Sequence, residues 1–579
     1  MSFLGVETSL TGRRWIGPDV ELTRATELLV QRAGLPDPVC QVLARRGVVD
    51  TEAAGFLAPA LRDLLPDPRS LRDMEAAATR FLEALHKRER IAIFADYDVD
   101  GGSSAALLLV WLRDMGHRAT LYIPDRIDEG YGPNDEAMSA LAAEHDLIVC
   151  VDCGTLSHGP IAAAKGADVI VLDHHLGGET LPDALAVVNP NRQDEDGTLA
   201  HLCAAAVVFL MLVEAGRQLR EAGRKGPDLM AMLDLVGLAT VADVAPLIGV
   251  NRAFVRQGLK VMARRARPGL AALADVARMD TAPTAYHLGF LLGPRINAGG
   301  RIGQADLGAR LLATADPNEA AALAERLDQL NTDRREVEAA VRASAMAQAE
   351  DRGFDGPLAW AAGPGWHPGV VGIVASRLKE ASNRPSIVIG VEDGIGKGSG
   401  RSISGIDLGA PIQRLAAEGL LMKGGGHKMA AGLTVAEDKI EAAMERLGEL
   451  LTKQGAHLAG PADLNLCGMM MPGAATVELA EMVDQAGPFG AGAPAPRYAF
   501  ADMQIRFAKR VGENHLKVSF GDGLGANLEA IAFGAYDGPL GPALENHGGA
   551  RFHLAGRLDI NNFRGRRSVQ LRLEDAARA

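Results

Sequence analysis

Residues 91–102, IAIFADYDVDGG, join a short apolar run to a group of closely spaced aspartates. The run Ile91–Phe94 is continuously apolar and ends at turn-forming residues, which is typical of a parallel strand buried on both faces. Asp96, Asp98 and Asp100 follow at its carboxyl end, where open α/β sheets bind their ligands. This stretch therefore predicts a buried sheet and places a site at one edge of it.

Similar apolar runs recur as far as residue 188 and alternate with helical patterns. These later runs are Ala119–Ile123, Leu147–Val151, Val169–Leu172 and Leu185–Val188. Helical stretches such as Ser103–Met115 and His158–Lys165 lie between them. Because strands that alternate with helices pair in parallel through crossover connections, we predict an open α/β sheet.

Acidic and histidine side chains follow two more of these runs and one helical pattern. Asp152 follows the third run, Asp173, His174 and His175 follow the fourth, and Asp243 ends the helical pattern LDLVGLATVAD. One such aspartate is usually a helix cap or a turn residue. Several at the same edge of one sheet would repel one another unless cations balance them. Carboxylates with imidazoles suit Mn²⁺ or Mg²⁺, and the ligands suffice for two ions.

The motif DYDVDG, the strand-end Asp152, the DHH triplet and Asp243 resemble the four signature motifs of the DHH phosphoesterase superfamily. The whole chain resembles its RecJ branch, the single-strand-specific DNA exonucleases. Val99 stands where alanine is commoner in that family, and the change leaves every expected ligand in place. The resemblance implies two bound ions, Mn²⁺ or Mg²⁺, held by Asp98, Asp100, Asp152, His174 and Asp243.

The same resemblance implies roles for the remaining acidic and histidine residues of these motifs. Asp96 would be an auxiliary ligand or a base behind the ligands, and Asp173 would orient the site or bind near the metals. His175 would contact the scissile phosphate. Tyr131, in a loop that begins at Asp125-Arg126 and resembles the family's active-site rim, would stack on a base or simply pack at the rim.

Three glycine-rich segments with basic residues occur later in the chain: LGPRINAGGR (292–301), GKGSGRS (396–402) and KGGGHK (423–428). Each is either a phosphate cradle, in which glycine lets the phosphate approach the backbone, or an ordinary turn. Their order resembles the DHHA1 domain of the same family. By resemblance, Arg401 with Ser399 and Ser402, helped by Arg295 or Arg301, would grip the 5′ phosphate. By the same resemblance, His427 would be a catalytic residue that faces the metal site across the interdomain cleft and steadies the transition-state phosphate.

The pattern of helices and strands divides the chain into five segments. The glycine-free run Asp316–Arg352 predicts a long solvated helix that joins two domains. The tail alternates short strands with turns, which is typical of a small barrel or sandwich, and family members carry an OB-fold there. The expected segments are 1–70 (N-terminal helical segment), 71–255 (DHH domain), 256–352 (helical connector), 353–460 (DHHA1 domain) and 461–579 (OB-fold).

Composition excludes several classes of protein. The 579 residues suffice for several domains, and the net charge of −13 excludes a generally basic nucleic-acid coat but not a basic groove. The tail from Arg497 onward carries a net charge of +3, with Arg564, Arg566 and Arg567 in one turn. Five scattered cysteines do not make a disulfide scaffold, and Cys150 and Cys153 are interpreted as packed thiols. The sequence has no signal peptide or membrane span, which predicts a cytoplasmic protein.

We therefore predict a divalent-metal-dependent phosphodiesterase that degrades single-stranded DNA and acts in DNA repair and recombination. The 5′ to 3′ polarity and the single-strand preference are implied by the resemblance. Single-strand-binding protein and a repair helicase are expected as further partners. The alternatives are a DHH phosphodiesterase for short oligonucleotides or cyclic dinucleotides, a pyrophosphatase, and a non-catalytic replication scaffold. A dinucleotide-binding oxidoreductase is disfavoured because no GxGxxG follows the first strand.

Overall fold

The computed structural model describes residues 2–125, 129–458, 463–563 and 565–579. Arg126 and Arg564, which belong to the predicted rim loop and basic turn, lie outside these residues. The chain forms two compact units, one of residues 65–459 and one of residues 1–64 together with 460–579. Among the described helices, none is both long and apolar enough to cross a membrane.

Residues 2–64 contain a 3-10 turn at Phe3–Gly5, one short strand and four α-helices, and the residues after them form a parallel sheet. The first elements are β1 (Trp15–Ile16), α1 (Val20–Ala33), α2 (Asp37–Arg45), α3 (Ala53–Leu57) and α4 (Leu61–Leu64). The sheet that follows has the order β3-β2-β4-β5-β6, and all its pairs are parallel. Its elements are α5 (Met74–Lys87), β2 (Ile91–Ala95), α6 (Val99–Asp114), β3 (Ala119–Tyr122), α7 (Asp135–Glu144), β4 (Leu147–Val151), α8 (His158–Ala163), β5 (Asp168–Leu172), β6 (Ala186–Val188), α9 (Ala204–Glu221), α10 (Leu233–Ala242), α11 (Gly249–Met262) and α12 (Pro268–Val276). The predicted α/β class is confirmed, and each predicted run of this sheet is a strand.

The connector contains a π-helical turn, His287–Leu292, and the helices α13 (Gly293–Ile302), α14 (Leu307–Ala313) and α15 (Pro317–Arg352). Asp316 is the N-cap of the long helix α15, and its side chain accepts the N–H of Asn318 at 2.8 Å. Its outer face is solvated as predicted, but its inner face is buried through Leu323, Leu327 and Val341. That face packs on α12, α13 and α14 and then on the next domain, so α15 is a shared packing surface as well as a connector.

The second domain is a mixed five-stranded sheet in the order β10-β11-β9-β8-β7, in which only β7 and β8 are parallel. Two of the glycine-rich segments are strands of this sheet, and the third is helix α13. The elements are β7 (Ala359–Pro364), α16 (Pro368–Ser382), β8 (Ser386–Glu392), β9 (Ile395–Arg401), α17 (Gly409–Ala417), β10 (Lys423–His427), β11 (Ala430–Ala436) and α18 (Ile440–Lys453).

The C-terminal strands close into a barrel, which decides between the barrel and the sandwich. Five strands follow the order β14-β15-β16-β18-β17, and β17 pairs back to β14. The elements are β12 (Leu464–Asn465), β13 (Gly468–Met469), α19 (Val477–Gln485), β14 (Tyr498–Val511), β15 (His515–Gly521), β16 (Asn527–Ala532), α20 (Leu540–Glu545), β17 (Arg551–Phe563) and β18 (Arg566–Arg578). The N-terminal segment completes this unit, because β1 pairs with β12 and the buried Trp15 Nε1 donates to Asp575 Oδ2 at 2.9 Å.

Candidate active site

The register of the first sheet places four polar residues side by side at its carboxyl edge. Ala95 pairs with Val151, Val151 with Leu172, and Leu172 with Val188. Each of these positions is the last of its strand, so the residues that follow are neighbours in space. They are Asp96, Asp152, Asp173 and Asn189. The site is therefore a direct consequence of in-register parallel pairing.

The start of α6 supplies two more carboxylates to this edge. Asp98 caps the helix, because its Oδ1 accepts the N–H groups of Asp100 at 2.8 Å and Gly101 at 3.1 Å. Asp100 is buried and accepts the first two N–H groups of α9, from Ala204 at 2.7 Å and Ala205 at 2.8 Å. Helix N-termini favour negative charge, so α9 supports Asp100 as a carboxylate.

Glycine is required directly after these aspartates. A Cβ atom at Gly101 would lie 2.3 Å from the carbonyl oxygen of Asp96, too close for any side chain. The loop between β2 and α6 can therefore fold back tightly on itself. This contact places Asp96 and Asp98 within reach of the same ligand.

His174 lies at the centre of the cluster. Its Nε2 is 3.3 Å from Asp152 Oδ1 and 3.7 Å from Asp100 Oδ2, and its Nδ1 is 3.8 Å from Asp243 Oδ2. Asp152 Oδ1 is buried and has no hydrogen-bond partner among the described residues. A buried carboxylate oxygen without a partner is costly unless a cation contacts it.

Burial and mutual repulsion raise the pKa values of three of these aspartates. The pKa of Asp152 lies well above its usual range because of burial and then the charges of Asp100, Asp98 and Asp96. Burial also raises the pKa of Asp100. It raises the pKa of Asp243 to about 9, with a further contribution from Asp100. The cluster thus holds more negative charge than the protein alone stabilises, which is what a site for divalent cations requires.

His175 faces the same edge but is held by a different partner. Asp173 Oδ1 accepts from the ring Nδ1 of His175 at 2.8 Å, and Asp173 Oδ2 accepts the N–H of Thr155 at 3.0 Å. Burial acts to lower the pKa of His175, but the bond to Asp173 outweighs it and raises the pKa to about 9. Burial acts to raise the pKa of Asp173, but His175 and Thr155 outweigh it and lower the pKa. Tyr131, 55% exposed, lies 3.0 Å from His175 Nε2 through its hydroxyl.

Three sets of side chains in this cluster each bring their ligand atoms within 4.8 Å of one another. They fit hard divalent ions, because they combine carboxylate oxygens with at most two imidazole nitrogens. The structure thus brings together all five residues that the sequence predicts as ligands. The sets are Asp96–Asp98–Asp152, Asp100–His174–Asp243 and Asp152–His174–His175.

Three asparagines support the cluster and were missed in the sequence. Asn189 Nδ2 donates to the carbonyl of His175 at 2.8 Å, and Asn191 Nδ2 donates to the carbonyl of His174 at 2.6 Å. Asn297, on α13, accepts the N–H of Val99 at 3.0 Å. The Asn-Pro-Asn sequence directly after β6 was the available signal for Asn189 and Asn191. Asn297 lies within the glycine-rich segment 292–301, in which the glycines and arginines, not the asparagine, indicate a site.

The predicted phosphate-binding residues are distributed over α13 and the second sheet. On β9, Arg401 Nη1 donates to Ser399 Oγ at 3.0 Å, and both side chains lie beside Gly372 of α16. Arg301 Nη1 donates to the Gly369 carbonyl at 3.0 Å, where α13 meets α16. Arg295 Nε forms an ion pair with Asp328 Oδ1 at 2.8 Å.

Ser402 and His427, two further predicted residues, lie in contrasting environments. Ser402 is buried and donates to the carbonyl of Ile406 at 2.7 Å, whereas His427 is exposed at the end of β10. Among the described residues, neither side chain forms a hydrogen bond or an ion pair with the aspartate cluster. Cys150 and Cys153, interpreted as packed thiols, are buried and free.

Three family profiles match the chain in the order that its domains have along the sequence. The DHH family, N-terminal domain, matches residues 90–240, the DHHA1 domain matches residues 355–453, and the RecJ OB domain matches residues 468–575. Two curated relatives are similar over almost their whole length. The single-stranded-DNA-specific exonuclease RecJ of Dickeya dadantii is 41% identical over 93% of this chain and 96% of its own. The Escherichia coli protein of the same name is 38% identical over 94% of this chain and 96% of its own length.

Solved structures show the same similarity. RecJ from Thermus thermophilus in complex with Mn²⁺ has a TM-score of 0.79 and 29% identity, and covers 97% of this chain and 79% of that chain. The Thermus thermophilus protein in complex with Mg²⁺ has a TM-score of 0.73 and 28% identity. This match covers 97% of the present chain and 78% of the Thermus chain. A manganese-bound exonuclease RecJ has a TM-score of 0.58 and 36% identity over 67% of this chain and 96% of its own.

Proposed function

Because this chain belongs to the RecJ family of single-stranded-DNA-specific exonucleases, we propose that it degrades single-stranded DNA from the 5′ end by metal-dependent hydrolysis of phosphodiesters. The observation that carries the proposal is the convergence on His174 of carboxylates from one strand end, Asp152, and two helix ends, Asp100 and Asp243. The closed barrel and the match over nearly the whole length favour this function over an enzyme for short oligonucleotides.

Asp98, Asp100, Asp152, His174 and Asp243 would hold two divalent ions, Mn²⁺ or Mg²⁺, with Asp96 beside them. When bound, such a pair supplies an activated water and neutralises the charge of the phosphate. The proposed role of His175 is to donate a hydrogen bond to a phosphate oxygen, because Asp173 keeps its ring charged and oriented. Tyr131 would fix the other ring nitrogen of His175 until the substrate replaces it.

The proposed 5′ end site is the pair Arg401 and Ser399, whose contact pre-orients a guanidinium and a hydroxyl for a phosphate. Arg295 and Arg301 would contribute charge from α13, and His427 would contact the strand. We further propose action in repair and recombination in the cytoplasm, with single-strand-binding protein and a repair helicase as partners. The family resemblance supports this cellular role and these partners.

The test uses one oligonucleotide labelled at the 5′ end and one labelled at the 3′ end, with Mn²⁺, Mg²⁺ or chelator. We expect early release of the 5′ label as a mononucleotide, and no release with chelator. Asp152→Asn should lower the rate by at least about 100-fold, since even partners of metal ligands contribute about 10–100-fold. Asp114→Asn, the same change at an exposed position of α6, is the matched control. Release of the 3′ label first, or an active Asp152→Asn enzyme, would overturn the proposal.

A further inference from the structure

Two aromatic residues in the connector, Tyr286 and Phe290, are stacked on each other and exposed. Their ring centroids are 5.1 Å apart and their planes differ by 24°. The residues are 57% and 72% exposed. Single exposed apolar side chains are common, but an exposed stacked pair is a contiguous apolar surface of the kind that binds ligands.

The ring pair is carried by an element that packs against α10, the helix whose C-cap is the predicted metal ligand Asp243. Phe290 belongs to the π-helical turn, a form that often marks functional sites. In the same turn, a Cβ atom at Gly289 would lie 3.3 Å from Val241 Cγ1, so the turn packs tightly on the end of α10. Val241 precedes Asp243 by two residues. The rings and the metal cluster are therefore carried by two elements in direct contact.

A positive charge is fixed next to the same turn. Arg295 Nη1 donates to the carbonyl of Leu291 at 2.7 Å, and Leu291 directly follows Phe290. Asp328 holds the other side of this guanidinium. Because the ion pair with Asp328 compensates this charge, Arg295 serves to hold the turn in place. The exposed rings that the turn carries are the kind of surface on which proteins stack the bases of unpaired strands.

We propose that Tyr286 and Phe290 form a stacking platform for a base of the single strand close to the scissile phosphodiester. The proposal rests on the proposed function and adds a recognition element to it. Every base has a π-face, so the platform is independent of sequence. A duplex keeps its base faces inside the helix, so the platform also favours unpaired DNA over paired DNA.

The test measures binding to an oligothymidylate with phosphorothioate linkages at its 5′-phosphorylated end, which resist cleavage. Tyr286→Ala with Phe290→Ala should weaken the affinity about tenfold, the loss of stacking on one base. If Tyr286→Ala is combined with Phe290→Trp instead of Phe290→Ala, most of the affinity should return. The combination with Phe290→Leu should not restore it. Leu185→Ala removes an exposed leucine just before β6, at the opposite edge of the sheet, and serves as control.

A second measurement tests stacking directly by replacing single nucleotides with abasic ones. The wild-type protein should lose affinity at one or two abasic positions, and the double alanine variant should lose nothing further there. Wild-type affinity in the double variant, or an undiminished abasic effect, would overturn the platform. A changed oligomeric state with unchanged DNA affinity would assign the rings to a protein interface and would also overturn it. These outcomes differ from failure of the proposed function, in which the wild-type protein does not degrade single strands.

Discussion

Asp152 has a backbone φ of 61°, in the left-handed region that residues other than glycine rarely adopt. Aspartate tolerates this region better than most residues, at a cost of about 1–3 kcal/mol. The neighbours enforce it, because Val151 is held in the sheet on both sides and the N–H of Asp152 itself donates to Leu172 at 3.0 Å. The strain turns the carboxylate towards His174 and is consistent with a constraint on ligand position.

Asp243 makes the stability of the metal-free protein depend on pH. Burial first, and the charge of Asp100 second, raise its pKa to about 9, well above the unfolded value. The folded state therefore binds an extra proton between about pH 4 and pH 9, and stability falls as pH rises through that window. We expect the unfolding midpoint of chelated protein to fall over this range, and Asp243→Asn to flatten the decline. The control, Asp114→Asn, should keep the wild-type decline of the unfolding midpoint. An equally steep decline in Asp243→Asn would contradict the raised pKa of Asp243 as its cause.

The elements that the sequence predicts best are the strands of the first sheet. Parallel strands buried on both faces are continuously apolar, so Ile91–Phe94 and its neighbours stand out. The strand β14 was not predicted, because its second half, from Phe507 to Val511, is largely exposed and mixes apolar with basic residues. Asn189 follows the predicted run Leu185–Val188 just as Asp173 follows the run before it, but an uncharged amide after a strand is also an ordinary turn residue. Only the pairing of Val188 with Leu172 identifies it as part of the site.

The glycines of β9 face the core and its alternate polar residues face α16, and this separates stability from function within one strand. A Cβ atom at Gly400 would lie 2.5 Å from Ile387 Cδ1 and 2.7 Å from Leu408 Cδ2, both in the core. Gly432, on the neighbouring strand β11, has no atom within 4 Å of that position. The alternate residues, Ser399 and Arg401, face α16. The glycines thus serve packing, which the sequence could not distinguish from a phosphate cradle.

We expect Gly400→Ala to destabilise the protein by about 1–3 kcal/mol through overpacking. Gly432→Ala, the matched control, should be within about 1 kcal/mol of wild type. Arg401→Ala should leave stability nearly unchanged and reduce the preference for 5′-phosphate over 5′-hydroxyl ends. Chemical denaturation measures the stability of each variant, and cleavage of 5′-phosphate and 5′-hydroxyl strands measures the end preference. Equal stability of the two alanine variants would contradict the packing argument.

At the scale of the molecule, one unit is built from both ends of the chain. Trp15 is fully buried, and its indole donates to Asp575, 560 positions away. Trp15→Ala removes the ring and leaves a buried carboxylate with less support, which should cost about 3–5 kcal/mol. Hydrogen exchange should accelerate across the barrel strands but not in the first sheet. Val20→Ala, at an exposed position of the same unit, is the control. If hydrogen exchange accelerated equally in both units, the division of the chain into two compact units would be contradicted.

The pairing of β1 with β12 has a consequence for biosynthesis. Residues 1–64 leave the ribosome before the barrel strands, and the core that receives them is complete only when β18 has been translated. At ordinary elongation rates the nascent N-terminus waits roughly half a minute to two minutes. The unit of residues 65–459 emerges whole during that interval and can fold first. The apolar face of α2, formed by Val39, Cys40 and Leu43, is therefore exposed to chaperones until β18 has been translated, and a chain terminated before β18 never covers it.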